Sequence, residues 1–378
     1  MTTRRSPVVV ALVIAALAAA CGPTPRAGSA PPASAATNAP VATTAPTRPH
    51  TPKAPHPTHR TTRRPTPHRT NPPATQPVPS TIPSPSPAPP ASPPPSPSRP
   101  SPSPPPTTVA RPDISAYGGL GTWIDIYDQS DVFGPQAFGD PAASVREMVA
   151  EGVRTVFLEA GSYRHPAVTF PSTTARFIQT AHDAGLKVIA WYLPLFRNVR
   201  HDFAQVMRVI TFRTPDGQRY DGFAMDIEAA IVPPAERIAN FLRLAGMVRS
   251  AVGPAYALGA IIPSPRGLIR VPTYWPGFPY AQLPKLFDVV LPMSYFTFHE
   301  HGPAAVGRYV RDNVEIIRHA TGDPGVPIHV IGGIADDMSP SETTAFVDAA
   351  RTEDVFGASL YEFARTSTSE WRTLQPLR

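Results

Sequence analysis

The stretch DGFAMDIE, residues 221–228, decides the fold. Its first part is almost continuously apolar, which is typical of a strand covered on both faces in a parallel sheet. Its last part carries two carboxylates, Asp226 and Glu228, separated by one residue. Side chains alternate along a strand, so residues i and i+2 point to the same face. The stretch therefore predicts a buried strand that presents two acids together at its carboxyl end.

Seven further apolar runs flank this strand at intervals of about 30 to 40 residues, the span of one βαβ unit. The eight predicted strands are Thr122–Tyr127, Thr155–Leu158, Lys187–Tyr192, Gly222–Ile227, Tyr256–Ile262, Phe287–Met293, Ile328–Ile331 and Gly357–Phe363. Helix signals separate them, such as Asp140 before Pro141 and the capping-box pair Ser339 and Glu342. Strict alternation predicts a parallel sheet, and eight units predict a closed α/β (β/α)8 TIM barrel. A doubly wound open sheet is the alternative.

The first 21 residues have the composition of an export signal. A basic start is followed by an apolar run of 13 residues and then by Cys21, the only cysteine in the chain. Cys21 follows three alanines and resembles the cysteine of a lipobox. The resemblance implies lipidation of Cys21 and a membrane anchor, with an ordinary cleaved signal peptide as the alternative.

Residues 22–112 contain 31 prolines, with mostly Ala, Thr and Ser between them. Such a segment has few backbone donors and little apolar surface, so we predict a disordered stalk before a folded domain at 113–378. The first 112 residues hold 11 basic and no acidic residues, which leaves the domain 23 basic and 28 acidic ones. The positive net charge therefore belongs to the tail, and we expect no nucleic-acid partner.

In a TIM barrel the active site lies at the carboxyl ends of the strands. Acidic and aromatic residues occupy these ends in the present sequence. The candidates for substrate binding are Asp125, Glu159, Trp191, Tyr192, Tyr295, Tyr361 and Glu362. Aromatic faces suit sugar rings, and carboxylates suit hydroxyl groups and acid–base chemistry. We expect neither a cofactor nor a metal ion.

Asp226 and Glu228 are the candidate catalytic residues. Two carboxylates that lie close together raise the pKa of one of them, which makes that group a proton donor near neutral pH. The residue nearer the rim, Glu228, is the predicted donor. A purely structural acid pair is the alternative.

The segment 221–228 resembles the strand-four signature of the family 18 chitinases, Asp-x-x-Asp-x-Asp-x-Glu, and Met293-Ser294-Tyr295 resembles their strand-six motif. The resemblance implies that Glu228 is the general acid. It further implies that Asp226 and Tyr295 hold a substrate N-acetyl group, which attacks its own anomeric carbon. Ala224 stands where the motif has its middle Asp.

Phe296 likewise replaces the Asp that follows the strand-six Tyr. The family 25 muramidases are a second resemblance, because they pair an Asp-x-Glu on a middle strand with an Asp on strand one. That resemblance also implies Glu228 as the acid but gives the assisting role to Asp125. The domain is further similar to uncharacterised actinobacterial glycoside-hydrolase-like barrels.

The predicted function is hydrolysis of a cell-wall or amino-sugar polysaccharide by an exported monomer, held at the outer face of the membrane or in the wall, or secreted. A non-catalytic carbohydrate-binding barrel is one alternative, motivated by Ala224 and Phe296. A metal-dependent carbohydrate esterase that uses His299 and His301 is another. Arg266 and Arg365 are candidates for contact with an acidic sugar, and the aromatic loop 274–280 is a candidate sugar platform.

Overall fold

The computed structural model describes residues 112–126 and 139–378. The predicted signal peptide with Cys21, nearly all of the predicted stalk, and the residues Tyr127 and Asp128 lie outside the described residues. Within the described part, no helix combines the length and apolarity needed to cross a membrane.

Eight parallel strands close into a barrel in chain order, β1 to β8, and β8 pairs back onto β1. The strands are β1 Gly119–Ile124, β2 Thr155–Ser162, β3 Lys187–Leu193, β4 Gly222–Asp226, β5 Leu258–Pro263, β6 Val289–Met293, β7 His329–Ile334 and β8 Gly357–Tyr361. The α-helices are α1 Pro141–Ala150, α2 Pro171–Asp183, α3 Val199–Ile210, α4 Pro234–Val252, α5 Pro265–Arg270, α6 Leu283–Leu286, α7 Pro303–Thr321, α8 Pro340–Thr352 and α9 Thr368–Leu374. The TIM-barrel prediction is confirmed, and the open sheet is wrong.

The predicted helix caps form as the sequence indicates. The Asp140 side chain accepts a hydrogen bond from the Ala143 backbone N–H at the start of α1. Ser339 and Glu342 make the reciprocal bonds of a capping box at the start of α8. These bonds satisfy amide groups that the first helical turn leaves without partners.

Strand alternation divides the core into two layers. Odd-facing side chains such as Trp123, Phe157 and Trp191 fill the barrel interior. Side chains such as Leu158, Tyr192 and others between them pack outward against the helices. Any residue of a strand is therefore assigned to the interior or to the helix layer by its position.

Tyr117 closes the amino-terminal end of the barrel. It is fully buried in the turn Ser115–Tyr117, and its hydroxyl donates to the Phe223 carbonyl oxygen at 2.8 Å. The ring fits only because Gly222 and Gly259 line the adjacent strands, where a Cβ would approach it to within 2.9 and 2.8 Å. The site must then open at the other end, where the strands finish.

A buried polar chain crosses the interior above this plug. Burial lowers the pKa of His329 to about 4, so its ring is neutral near pH 7. Its Nδ1 lies 2.8 Å from the Tyr117 carbonyl oxygen and must donate, which leaves Nε2 to accept from the Ser359 hydroxyl at 2.9 Å. Ser359 Oγ also accepts from Trp123 Nε1 at 2.7 Å. These bonds fix the indole ring of Trp123.

Asp221 lies at the amino-terminal end of β4, away from the site. Its Oδ2 accepts from the Val188 backbone N–H and lies 2.9 Å from His182 Nε2, while Lys187 Nζ lies 3.0 Å from its Oδ1. The first residue of the chitinase-like signature therefore joins α2 to the sheet in this protein. Hydrogen bonding to Asp221 raises the pKa of His182 above 6.5.

The His182 contact predicts a stability that depends on pH. A histidine whose pKa is raised by folding stabilises the protein fully below the unfolded value of 6.5. That contribution is lost as pH rises through the raised pKa of the folded state. We expect His182→Gln to lower the free energy of unfolding by about 1 kcal/mol at pH 6, and by less at pH 9.

Urea unfolding at the two pH values measures this difference. His319→Gln is the matched control, because His319 is exposed near the end of α7. A His182→Gln deficit that grows between pH 6 and pH 9 would contradict the prediction.

Candidate active site

Asp226 is the last residue of β4 and points into the barrel. Its side chain is 5% exposed, and its Oδ1 has no hydrogen-bond partner among the described residues. Burial raises the pKa of Asp226 well above its usual range, and the nearby charges of Glu228 and Glu159 raise it further. The group is therefore held close to protonation inside the mouth.

Glu228 follows two residues later, at the opening. The Ile227 backbone N–H donates to the Ile261 carbonyl oxygen at 2.8 Å, and the Tyr274 hydroxyl donates to the Glu228 carbonyl oxygen at 2.7 Å. The backbone is thus held beyond the formal end of β4, and the half-buried side chain keeps contact with solvent. Burial raises the pKa of Glu228 to about 7, against the opposing charge of Arg164. A carboxyl group with this pKa can donate a proton at neutral pH.

Glu159, in β2, ties two strands together beside this pair. It is 7% exposed, and its Oε2 accepts from the Ile126 backbone N–H at 2.9 Å. This bond holds the segment that directly follows Asp125. Glu159 therefore positions the end of β1 and adds negative charge near Asp226.

Four aromatic rings line the interior next to the acids. Trp123 and Trp191 meet edge to face with their ring centroids 6.0 Å apart, and Tyr361 lies 6.4 Å from Trp123. Tyr295 contacts Tyr361 at 5.9 Å, and Tyr361 donates to Asp125 Oδ2 at 3.2 Å. The structure brings these predicted residues together, and their contact with substrate stays a prediction.

Glu362 begins the turn after β8 and is 5% exposed. Its backbone carbonyl accepts from the N–H and the hydroxyl of Thr366. Its negative charge contributes to the raised pKa values of Tyr295 and Tyr361 after the larger effect of their burial. Glu362 therefore lies close to the aromatic cluster.

The prediction that Tyr192 lines the sugar site is wrong. Trp191 and Tyr192 are consecutive residues of β3, so they face opposite sides of the sheet. Tyr192 is fully buried in the outer layer, and the charge of Asp202, on α3, contributes to its raised pKa. Only Trp191 reaches the barrel interior.

The aromatic loop 274–280 packs against the fold and is no sugar platform. Trp275 is 2% exposed and Phe278 is 8% exposed. Trp275 contacts Phe196 at 6.1 Å, and the Arg237 guanidinium lies 4.0 Å from the Trp275 ring centroid. The rings therefore stabilise a long connection, and the loop reaches the site only through the bond from Tyr274 to the Glu228 backbone.

A cleft of about 400 Å³, which includes space open to solvent, lies between the ends of β5 and β6. Its walls are mainly apolar, and Tyr295 joins it to the acid pair. The lining residues are Pro263, Ser264, Gly267, Leu268, Val271, Tyr274, Met293, Tyr295, Phe298 and His299. A small substituent of a ligand held at the mouth would fit here.

The two arginines singled out in the sequence pair with acids. Arg266 Nε lies 3.2 Å from Asp312 Oδ2, and Arg365 bonds to Asp336. Neither guanidinium faces the acid pair without a carboxylate partner. The paired-acid interpretation is the one that the geometry supports.

The histidine pair after β6 gathers no metal-ligand set. His301 has a side chain that is 81% exposed and lies 3.9 Å from Glu342, while the His299 ring packs 5.7 Å from Tyr309. Among residues 112–126 and 139–378, no three His, Cys, Asp or Glu side chains are grouped to hold a metal ion. The described residues give the esterase alternative no support.

Three features of the site escape sequence reasoning. His329 and Ser359 look like ordinary strand residues, yet they hold Trp123. Arg164 follows β2 and influences Glu228 although 63 positions separate them in the chain, so no local pattern marks the relation. Strand parity would have excluded Tyr192.

No protein-family model matches the chain, and no curated protein matches it in sequence. Solved structures match it by fold. The endo-1,4-β-mannanase of Rhizomucor miehei aligns with a TM-score of 0.52 at 11% identity, over 68% of this chain and 94% of that one. The chain is a glycoside-hydrolase-like (β/α)8 barrel.

Two further structures align similarly. The spore cortex-lytic enzyme SleL of Bacillus cereus has a TM-score of 0.51 at 9% identity, over 68% of this chain and 74% of that one. The PgaB (BpsB) glycoside hydrolase domain of Bordetella bronchiseptica has a TM-score of 0.50 at 12% identity, over 68% and 98%. At these identities the likeness shows the fold alone, because one barrel supports many chemistries.

Proposed function

We propose that the protein is a glycoside hydrolase that acts on a cell-wall or amino-sugar polysaccharide. Glu228 donates the proton to the leaving oxygen, and Asp226 assists at the anomeric centre. The observation that carries the proposal is the linked acid pair at the mouth, in which a half-buried Glu228 has a pKa of about 7. Aromatic rings beside the pair offer flat faces for sugars.

The position of Ala224 supports a role for Asp226 that differs from a simple buried pair. Ala224 lies in the interior two residues below Asp226, where the chitinase-like signature has another acid. Without that acid, Asp226 Oδ1 has no partner among the described residues. An unpartnered, protonated Asp226 is able to donate to a substrate acetamido group, and this suits substrate-assisted hydrolysis.

A carbohydrate-binding barrel without turnover is the second candidate, and Ala224 favours it as well. Phe296 carries less weight in that argument, because its side chain packs in the helix layer at 6.2 Å from Phe346. An acid at position 296 would not extend into the mouth. The loss at position 224 is therefore the departure that matters.

The dependence of kcat on pH tests the proposed proton donor. The charged and titratable groups that act on Glu228 or share its opening are Asp226, Glu159, Arg164, Tyr295 and Asp125. Glu228 donates only when it is protonated, so activity is present below pH 7 and is lost as pH rises through about 7. Above that value we expect kcat to fall about tenfold per pH unit.

Initial rates of reducing-end release from pH 5 to pH 9 measure this limb, with circular dichroism at each pH as the control for folding. A rate that stays constant from pH 6 to pH 9 would contradict proton donation by Glu228.

We further propose that the protein is exported and anchored through Cys21, with the barrel carried by the proline-rich stalk. Incorporation of labelled palmitate into the wild type but not into Cys21→Ser tests the anchor. Equal labelling of both proteins would contradict it.

A further inference from the structure

Arg164 lies in a turn directly after β2, on the same rim as the acid pair. Ser162 and His165 hold the turn closed through two backbone hydrogen bonds, of 3.3 and 3.0 Å, and through a contact of 3.0 Å between Ser162 Oγ and His165 Nδ1. The Tyr163 backbone N–H donates to the Leu193 carbonyl oxygen at 2.7 Å, which fastens the turn to β3. Arg164 is therefore exposed on a rigid support.

The guanidinium of Arg164 is oriented by its neighbour. Its Nε donates to the Tyr163 hydroxyl at 3.0 Å, and its central carbon lies 5.2 Å from the Tyr163 ring centroid. These contacts occupy one of the five donors of the group and leave the terminal N–H groups for a ligand. A guanidinium held in this way loses little side-chain entropy when it binds.

Arg164 differs from the other arginines near the rim because it has no acidic partner. No carboxylate of residues 112–126 or 139–378 lies within 4.0 Å of it. The comparable pairs around the barrel are Arg266 with Asp312, Arg270 with Glu300 and Arg365 with Asp336. Arg164 is thus a cation without a carboxylate partner within the described part of the rim.

The positive charge of Arg164 acts on the mouth of the barrel. It opposes the effect of burial on the pKa of Glu228, so the guanidinium and the predicted donor share one opening. The pKa values of Asp226 and Glu228 are both raised, which reduces the negative charge that an anionic ligand would meet there.

We propose that Arg164 binds a carboxylate substituent of the sugar held beside Glu228, and that it makes the site selective for acidic glycans over neutral ones. The inference rests on the proposed function for the location of the sugar, but not on turnover. The planar guanidinium fork matches a carboxylate with two parallel hydrogen bonds. Because the remaining rim groups are acidic, Arg164 decides whether a charged sugar is accepted.

Binding of two oligosaccharides with one backbone tests the proposal. The probes are a β-1,4-linked N-acetylglucosamine tetramer and a tetramer in which N-acetylglucosamine alternates with N-acetylmuramic acid, so that they differ in lactyl carboxylates. Calorimetry uses the full chain carrying Glu228→Gln, which prevents hydrolysis. We expect the acidic tetramer to bind about ten- to a hundredfold more tightly than the neutral one.

Arg164→Gln should remove this preference and leave the affinity for the neutral tetramer unchanged, while Arg164→Lys should retain part of it. Arg266→Gln is the matched control, since its guanidinium pairs with Asp312, and it should keep the full preference. Equal affinity for both tetramers before Arg164 is changed would overturn the proposal. So would a preference that survives Arg164→Gln, or an acidic tetramer that does not bind.

The outcome is separable from that of the proposed function. A wild-type protein that prefers the acidic tetramer through Arg164 but cleaves neither tetramer would refute the hydrolase and support the Arg164 site. A protein that cleaves both tetramers with equal kcat/KM would support the hydrolase and refute the Arg164 site.

Discussion

Replacing Glu228 with glutamine is expected to lower kcat on a cleaved glycan by about 10²- to 10⁴-fold, the range that a positioned proton donor contributes. Glutamine keeps the shape and hydrogen-bonding reach of the side chain but cannot release a proton to the leaving oxygen. The fold should be unchanged, because the structure holds this segment through the Glu228 backbone and not through its carboxylate. Reducing-end assays with wild type and variant measure the effect.

Glu315→Gln is the matched control, since this glutamate is exposed in the middle of α7. It should hydrolyse like the wild type. Glycan binding by Glu228→Gln separates loss of chemistry from loss of affinity, and we expect the affinity to be retained. Wild-type kcat in Glu228→Gln would remove this residue from the mechanism.

Replacing Gly357 with alanine is expected to lower the free energy of unfolding by about 3 kcal/mol or more, at the upper end of the cost of overpacking. Gly357 begins β8 and pairs with both β1 and β7, where the barrel closes. An added Cβ would lie 2.3 Å from the His329 ring and 2.5 Å from the Tyr117 carbonyl oxygen. The clash would disturb the bond between these two groups and force the closing strands apart.

Gly246→Ala is the control, because this glycine lies inside α4 and a Cβ there would meet no atom within 4 Å. We expect Gly246→Ala to stabilise the protein by about 1 kcal/mol, the helix propensity of alanine over glycine. Urea unfolding compares the two variants. A Gly357→Ala protein as stable as the wild type would show that the base of the barrel is looser than its packing indicates.

Much of the fold is predictable because the sequence repeats one simple unit. The eight apolar runs and the helix caps between them appear in the structure at the expected places, with shifts of a few residues at the strand ends. Closure follows from the number of units. The pairing of β8 with β1 depends on contacts between distant residues, such as Gly119 with Gly357, which no local pattern contains.

The site is predictable only to the extent that strand parity controls it. Asp226 and Trp191 face the interior as alternation requires, and Tyr192 was assigned wrongly because parity was not applied to it. Trp275 was taken for a sugar platform because composition does not distinguish exposed from buried aromatic rings. Its burial arises from contacts with Phe196 and Arg237, which lie far away in the sequence.

The polar chain beneath the site shows the same limit. His329 and Ser359 come from β7 and β8, and they meet Trp123 of β1 only after the barrel closes. Each residue alone is unremarkable in its strand. Their joint effect is to fix the ring beside the predicted sugar site, which is a property of the tertiary structure.

Mass spectrometry of the products formed from an amino-sugar oligomer tests the central claim most directly. We predict that the wild type releases shorter oligomers whose masses add up to the substrate plus one water, and that Glu228→Gln releases none. Full-length oligomers that have lost acetyl groups would indicate an esterase. An intact oligomer that binds to the wild-type protein would contradict hydrolysis at the Asp226–Glu228 pair.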